Sequence, residues 1–218
     1  MASTPSGSRF ALATELAAAK VVTAVTNAVE AVCTSAAHGL VVGDIVIMNS
    51  GWDRFDNRVF RIKAVAAPDS FTLEGRSADS SNTAQFPEGG GIGTVTKVLT
   101  WVDVLKVLTS STSGGDPKKV NYRYIESENE QSINDGFNAV NRALEIDADA
   151  IDTLGYQAVA KLSESGANTV MRTTTKKGAT SYLACTVAMN EEVLSQDGAI
   201  NRVSVDISGK AKSTRYGA

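Results

Sequence analysis

Apolar and polar positions alternate most cleanly towards the end of the sequence. Val203, Val205, Ile207, Gly209 and Ala211 take turns with Arg202, Ser204, Asp206, Ser208, Lys210 and Lys212. Side chains in a strand change face at every residue, so the stretch predicts a strand with one apolar and one polar face. Shorter runs of the same kind begin at Val21. VVTAVT and VEAVCTSA flank a turn at Asn27–Ala28, and HGLVVGD precedes the apolar run Ile45–Met48. VFRIKAV, SFTLEG and IGTVTKVLTW follow, separated by turn-rich segments dense in Gly, Asp, Asn and Pro. Short strands spaced roughly ten residues apart predict a compact all-β unit.

The second half is less regular. Ser110–Lys119 (SSTSGGDPKK) has the composition of a flexible polar loop, and Val120–Glu126 alternates as a strand. Residues 132–147 fit two patterns. Ile133, Phe137, Val140 and Leu144 are spaced along a helix face, whereas Val140, Leu144 and Ile146 fit a strand from Asn138 to Ile146. Asp147 or Asp149 can cap a following helix, about 149–164, with Ile151, Leu154, Ala158 and Leu162 as its apolar stripe and Gly166 as its left-handed cap. A hairpin turning at Lys176–Lys177–Gly178 then leads to the final strand. Near the start, Met1–Ser8 has the composition of a mobile arm, and Arg9–Lys20 fits either a helix or a short strand with a connector.

Composition sharpens the β reading. Aromatics make up 6% of the 218 residues, while Ala, Val, Thr, Ser and Gly are plentiful. A net charge of −3 argues against a nucleic-acid binder that grips phosphate through a concentrated basic face. It leaves open a surface past which nucleic acid slides. Cys33 and Cys185 lie in apolar alternating runs and are expected to be buried free thiols. The residues after Arg9 are too polar and too few for a signal peptide, and no apolar run reaches the length of a membrane helix. The expectation is a protein made and folded in a cytoplasm, without an export signal or membrane contact.

No catalytic constellation emerges. The single histidine, His38, stands beside Gly39 and predicts a structural turn. One His and two distant Cys do not assemble a zinc site. Gly89–Gly93 (GGGIG) runs into a Val/Thr strand rather than a helix, which a phosphate loop requires. The acidic groups at 126–130 and 147–152 lack the loop of a calcium site. Neither a cofactor, a metal nor an enzyme activity is expected.

Two resemblances carry the functional reading. Residues 21–97 resemble a small β module recurrent in phage structural proteins. The likeness rests on His38–Gly39–Leu40, Gly43–Asp44, Asn57, Phe60, the Asp69–Leu73 strand and the closing Gly-rich hairpin. Residues 98–218 resemble the tail tube proteins (major tail proteins) of long non-contractile-tailed phages. Trp101 and its apolar strand, the Ser-Gly-Gly-Asp loop, the strand–helix–hairpin order from Phe137 to Met189 and the terminal Ser213–Tyr216 carry this one.

The resemblance implies a mainly β fold (α+β minor), a tail-tube-type β-sandwich with one flanking α-helix. Residues 1–20 would supply an arm and the first element, 21–97 an inserted module decorating the exterior, and 98–218 the sandwich. It also implies a strand within 138–146, hexameric rings stacked into a hollow tube that conducts DNA, and residence in the virion after assembly in the host cytoplasm. The implied partners are further copies of the chain, a tape-measure protein and a tail terminator, with DNA passing unread through the lumen. Arg202, Ser204, Asp206, Ser208, Lys210 and Lys212 become candidates for a lumen- or subunit-facing row. Ser113, Gly114, Gly115, Asp116, Lys118 and Lys119 become candidates for an inter-ring loop. A terminator or baseplate subunit, and a carbohydrate-binding β-sandwich, are the alternatives.

Overall fold

The computed structural model describes residues 6–66 and 68–218; of the predicted arm, Met1–Pro5 lie outside the described residues. In chain order the strands are β1 (Arg9–Leu16), β2 (Lys20–Val22), β3 (Ala24–Val25), β4 (Val32–Thr34), β5 (Ile45–Ser50), β6 (Arg58–Ala66), β7 (Ser70–Leu73) and β8 (Gly93–Val104). They continue with β9 (Val107–Ser113), β10 (Pro117–Tyr122), β11 (Gln131–Phe137) and β12 (Asn141–Asp147). Helix α1 (Leu154–Ser165) follows, then β13 (Thr169–Thr174), β14 (Thr180–Leu194), β15 (Arg202–Gly209) and β16 (Thr214–Tyr216). The fold is mainly β, as expected. Arg9–Lys20, open between helix and strand, begins as strand β1. No helix among the described residues is long and apolar enough to cross a membrane.

One antiparallel sheet runs β3-β4-β7-β6-β5-β8-β1-β13-β14-β15-β12-β9, and β10–β11 form a separate hairpin. The sheet curls, because strands twist and a long strip closes on the apolar side chains it shares. Three cores result. In the first, Val203, Val205 and Ile207 of β15 pack with Leu144, Ile146, Cys185 and Val187 around Tyr156, Val159 and Leu162 of α1. The second gathers Trp52, Phe55, Phe60, Phe71 and Phe86 inside the β2–β7 region. The third joins them: Ile45, Ile47 and Val59 meet Tyr182, Ala184 and Tyr216.

Strand β8 belongs to both halves. Its residues 93–97 pair with β2 and β5, and Val98–Val104 pair with β1. The division drawn at 97/98 therefore falls inside an unbroken strand. A second tie runs from Tyr216, whose hydroxyl accepts from the Arg61 N–H at 2.8 Å while the Arg61 guanidinium lies over its ring at 4.4 Å. Arg58 Nε donates to Thr214 Oγ1 at 3.2 Å.

Several sequence expectations change. The helix is capped by Thr153, whose hydroxyl accepts from the Tyr156 N–H at 3.3 Å, and ends at left-handed Gly166. Asp147 instead accepts from the Asp149 N–H and opens a short 3-10 turn, Ala148–Ala150. Because the helix starts at Leu154, its buried face is Gly155, Tyr156, Val159 and Leu162, and Ile151 and Leu154 are exposed. Residues 132–147 hold no helix. They form most of β11 and all of β12, the strand outcome implied by the resemblance. Segment 110–119 is not one flexible loop: Ser110–Ser113 complete β9 and Pro117–Lys119 begin β10. The strand expected over 120–126 stops at Tyr122.

Candidate assembly surface

The polar row on β15 lies on a four-stranded surface built by cross-strand register. Thr109, Glu145, Ser204 and Asn190 form one row across β9, β12, β15 and β14. Ser111, Ala143, Asp206 and Ala188 form the next, and Ser113, Asn141, Ser208 and Thr186 a third. The face is small, hydroxyl-rich and sparingly charged. Its one strand-borne arginine, Arg202, is held by Glu145 at 3.4 Å and sits opposite Asp147. Glu145 also accepts from the Thr109 hydroxyl at 3.0 Å. These partly exposed pairs add little stability, but they neutralise the cation where the face is open.

The candidate row is shorter than its alternation suggests. Arg202, Ser204, Asp206 and Ser208 share the face, but β15 ends at Gly209. The Gly209 N–H to the Val140 carbonyl and the Lys210 N–H to the Ala184 carbonyl extend the register by one last step, and Lys212 lies beyond the ladder. Lys212 lies instead with its ammonium 3.1 Å from the Phe137 ring centroid, an attraction of cation to π-face.

One end of this sheet is open and the other is covered in part. β9 has β12 on one side and, among the described residues, no strand on the other. Beyond Cys185, β14 pairs among the described residues with β15 alone; on its other side the Met189 N–H donates to Ser163 Oγ of α1 at 2.8 Å, and Asn190–Leu194 are exposed. Unpaired strand edges are templates for joining another chain.

The second candidate group divides likewise. Ser113 ends β9, Gly114, Gly115 and Asp116 make the turn, and Lys118 and Lys119 are on β10. Gly114 adopts φ +76°, and a Cβ there would lie 1.8 Å from the Ala139 carbonyl oxygen, so the turn requires glycine. The β10–β11 hairpin is exposed along almost its whole length. Sequence reading caught only Val120–Tyr122 of it, because with neither face buried little alternation is written elsewhere.

The residues that might suggest chemistry are structural. His38 is buried, with Nδ1 accepting from the Leu40 N–H at 3.0 Å and its ring edge-on to Phe71. Cys33 and Cys185 are buried free thiols, each pushed up to about 12, chiefly by burial. Trp52, 2% exposed, donates its indole N–H to the Pro87 carbonyl and presents no platform for a sugar.

No curated protein matches the chain. Among solved structures, a chain in the cryo-EM structure of the anti-feeding prophage (AFP) baseplate, 6-fold symmetrised, aligns at 10% identity with a TM-score of 0.38. The alignment covers 55% of this chain and 86% of that one. The family model described as "Phage tail tube protein, TTP" matches residues 50–218, more than half of the sequence. The chain belongs to the phage tail tube protein family.

Proposed function

We propose that this structural tail protein forms rings of six that stack into a hollow tube, through which DNA leaves the virion. The observation that carries the reading is the four-stranded sheet whose polar face has its Arg202 paired with Glu145, with strand edge uncovered along β9 and beyond Met189 on β14. β9 of one copy would lie along the outer half of β14 of the next, so that closure removes the edges. The contact is head-to-tail, the kind that makes rings when its rotation closes. Six four-stranded sheets give a barrel of roughly 24 strands, wider than porin barrels that already enclose water. At ~4.8 Å between strands its diameter is about 37 Å before tilt widens it.

The lumen face would be the rows containing Ser204, Asp206 and Ser208. Repeated phosphate contacts would retard DNA, since each Lys or Arg contact adds salt-sensitive affinity. Arg202 is already engaged by Glu145, so the face offers hydroxyls and carboxylates instead. The β2–β7 region, on the far side of the shared third core, would decorate the outside. Turn 114–116 and β10 would reach an adjoining ring, and a tape-measure protein and a terminator would set length and end. Assembly would take place in the host cytoplasm.

Electron microscopy of concentrated protein, with and without a tail-derived seed, tests the reading. Hollow tubes of uniform width with sixfold symmetry are the expected result. A single closed ring that never stacks would indicate a terminator or baseplate role, and a persistent monomer would overturn ring formation.

A further inference from the structure

A cavity of about 800 Å³ lies where the Asp53–Arg58 turn, the Glu74–Asp79 segment, the base of β11 and residues 210–216 meet. Six basic and four acidic side chains line it. Three of the acids are occupied: Asp56 accepts from the Ser50 N–H and from Asn57, Asp79 from Ser81, and Glu74 takes the Arg61 guanidinium. On the basic side Arg58 donates to Thr214 Oγ1, to Ser77 Oγ and to the Arg54 carbonyl, and Lys212 rests on the Phe137 ring, so only neutral groups hold these two cations. Among the described residues, Arg54, Arg58 and Lys212 make no ion pair, although they stand close enough to disfavour one another's charge. Burial first, and Arg54 among the lesser causes, lowers the Arg58 guanidinium; burial, then Arg54 and Arg58, lowers the Lys212 ammonium. Six basic against four acidic side chains leave the lining net basic, and a net basic pocket is complementary to an acidic partner.

The same chain carries the other half. Between β10 and β11 the segment Arg123–Glu130 (RYIESENE) has three glutamates, Glu126, Glu128 and Glu130, against one arginine. Its turn is preformed by the Ser127 N–H to the Tyr124 carbonyl at 3.0 Å, and Tyr122 hydrogen-bonds Gln131 across its neck at 2.6 Å. Ile125 at the tip is 102% exposed and Tyr124 57%. Phe137, at the other end of β11, lines the pocket, so each copy holds its own tip roughly 20 Å away along the strand. A second copy can bring its tip to the pocket where the copy's own cannot.

We propose that the acidic tip of the β10–β11 hairpin of one copy seats in the Arg54–Arg58–Lys212 pocket of another. The glutamates offset the pocket's basic excess, and Tyr124 and Ile125 lose their exposed apolar surface. The proposal rests on the reading of the chain as self-assembling and names the partner surfaces of one of its contacts. Tip and pocket are different surfaces of one chain, so this contact too is head-to-tail.

Mixing two full-length single variants, Glu128→Cys and Lys212→Cys, tests it under assembling, mildly oxidising conditions. A disulfide between them can form only between copies, and the native thiols are buried. A cross-linked dimer that appears in the mixture and in neither variant alone is the expected result. In parallel, Arg54→Glu with Lys212→Glu, or Glu126→Lys with Glu128→Lys, should each reduce assembly at least tenfold, and mixing the two charge-reversed proteins should restore it. Tubes that form without the cross-link, and are indifferent to charge reversal, overturn this contact while leaving the tube reading intact. Cross-linked dimers without tubes would do the reverse. Charge-reversed pockets that assemble normally but lose salt-sensitive DNA binding would assign the pocket to phosphate and also overturn it.

Discussion

The β2–β7 region and the β9–β12 region are both made of short strands, yet they solve opposite problems. The first closes on itself: Trp52, Phe55, Phe60, Phe71 and Phe86 fill its centre, and Asn27 and Ser80 tie its loops by hydrogen bonds to Ser80, Phe86, Thr26 and Ala28 carbonyls. The second leaves β9, β10 and β11 exposed, with Ile133 and Phe137 more than half open to solvent. One region is complete as a monomer. The other leaves strand backbone and apolar side chains uncovered among the described residues, the kind of surface through which chains join.

The largest effect that would break this contrast is in the closed region. Phe60→Ala removes a fully buried ring from the aromatic cluster and should cost about 3–5 kcal/mol in denaturant unfolding. A cost below 1 kcal/mol would mean that the region is loosely packed.

A smaller effect comes from Tyr216, at the seam. Tyr216→Phe loses the bond from Arg61 and the weaker one to the Glu74 carbonyl, and should cost about 1–2 kcal/mol. Burial, the main cause, pushes the Tyr216 phenol up to about 12 from its ordinary 10.0. The neutral form is thus favoured by folding. Its contribution should be complete below pH 10 and fade as pH rises through 12, making wild type lose stability over that window more steeply than the variant. Parallel slopes in pH-dependent unfolding would show a solvated phenol.

The smallest effect on the monomer is expected at the open region. Ile133→Ser should change monomer stability by less than about 0.5 kcal/mol. The same change should slow seeded tube growth severalfold, followed by light scattering, if this hairpin is covered only on assembly. Loss of monomer stability with unchanged growth would reverse the comparison.

The same contrast explains what the sequence discloses. Val203, Val205 and Ile207 alternate because one face of β15 is buried and the other is not, so burial is written directly into residue order. Ser110–Ser113 of β9 and Pro117–Lys119 of β10 have no buried face to record and look like a loop, whereas Val120–Tyr122 alternates and reads as strand. The helix stripe slipped because Ile151 and Leu154 fit the period although the chain is not yet helical at Ile151. The cap at Thr153 was the better signal. The pairing of Arg202 with Glu145 depends on register between strands far apart in sequence, and no local pattern carries it.

Strand β8 has a mechanical consequence. Domains joined by a flexible linker swing independently, and a pull on one is absorbed by the linker. Here the backbone that pairs with β5 at Thr96 continues without interruption to pair with β1 at Val102. A load applied to the β2–β7 region therefore reaches the sheet around β1 as shear along one hydrogen-bonded ladder, so the two regions stiffen each other and yield together.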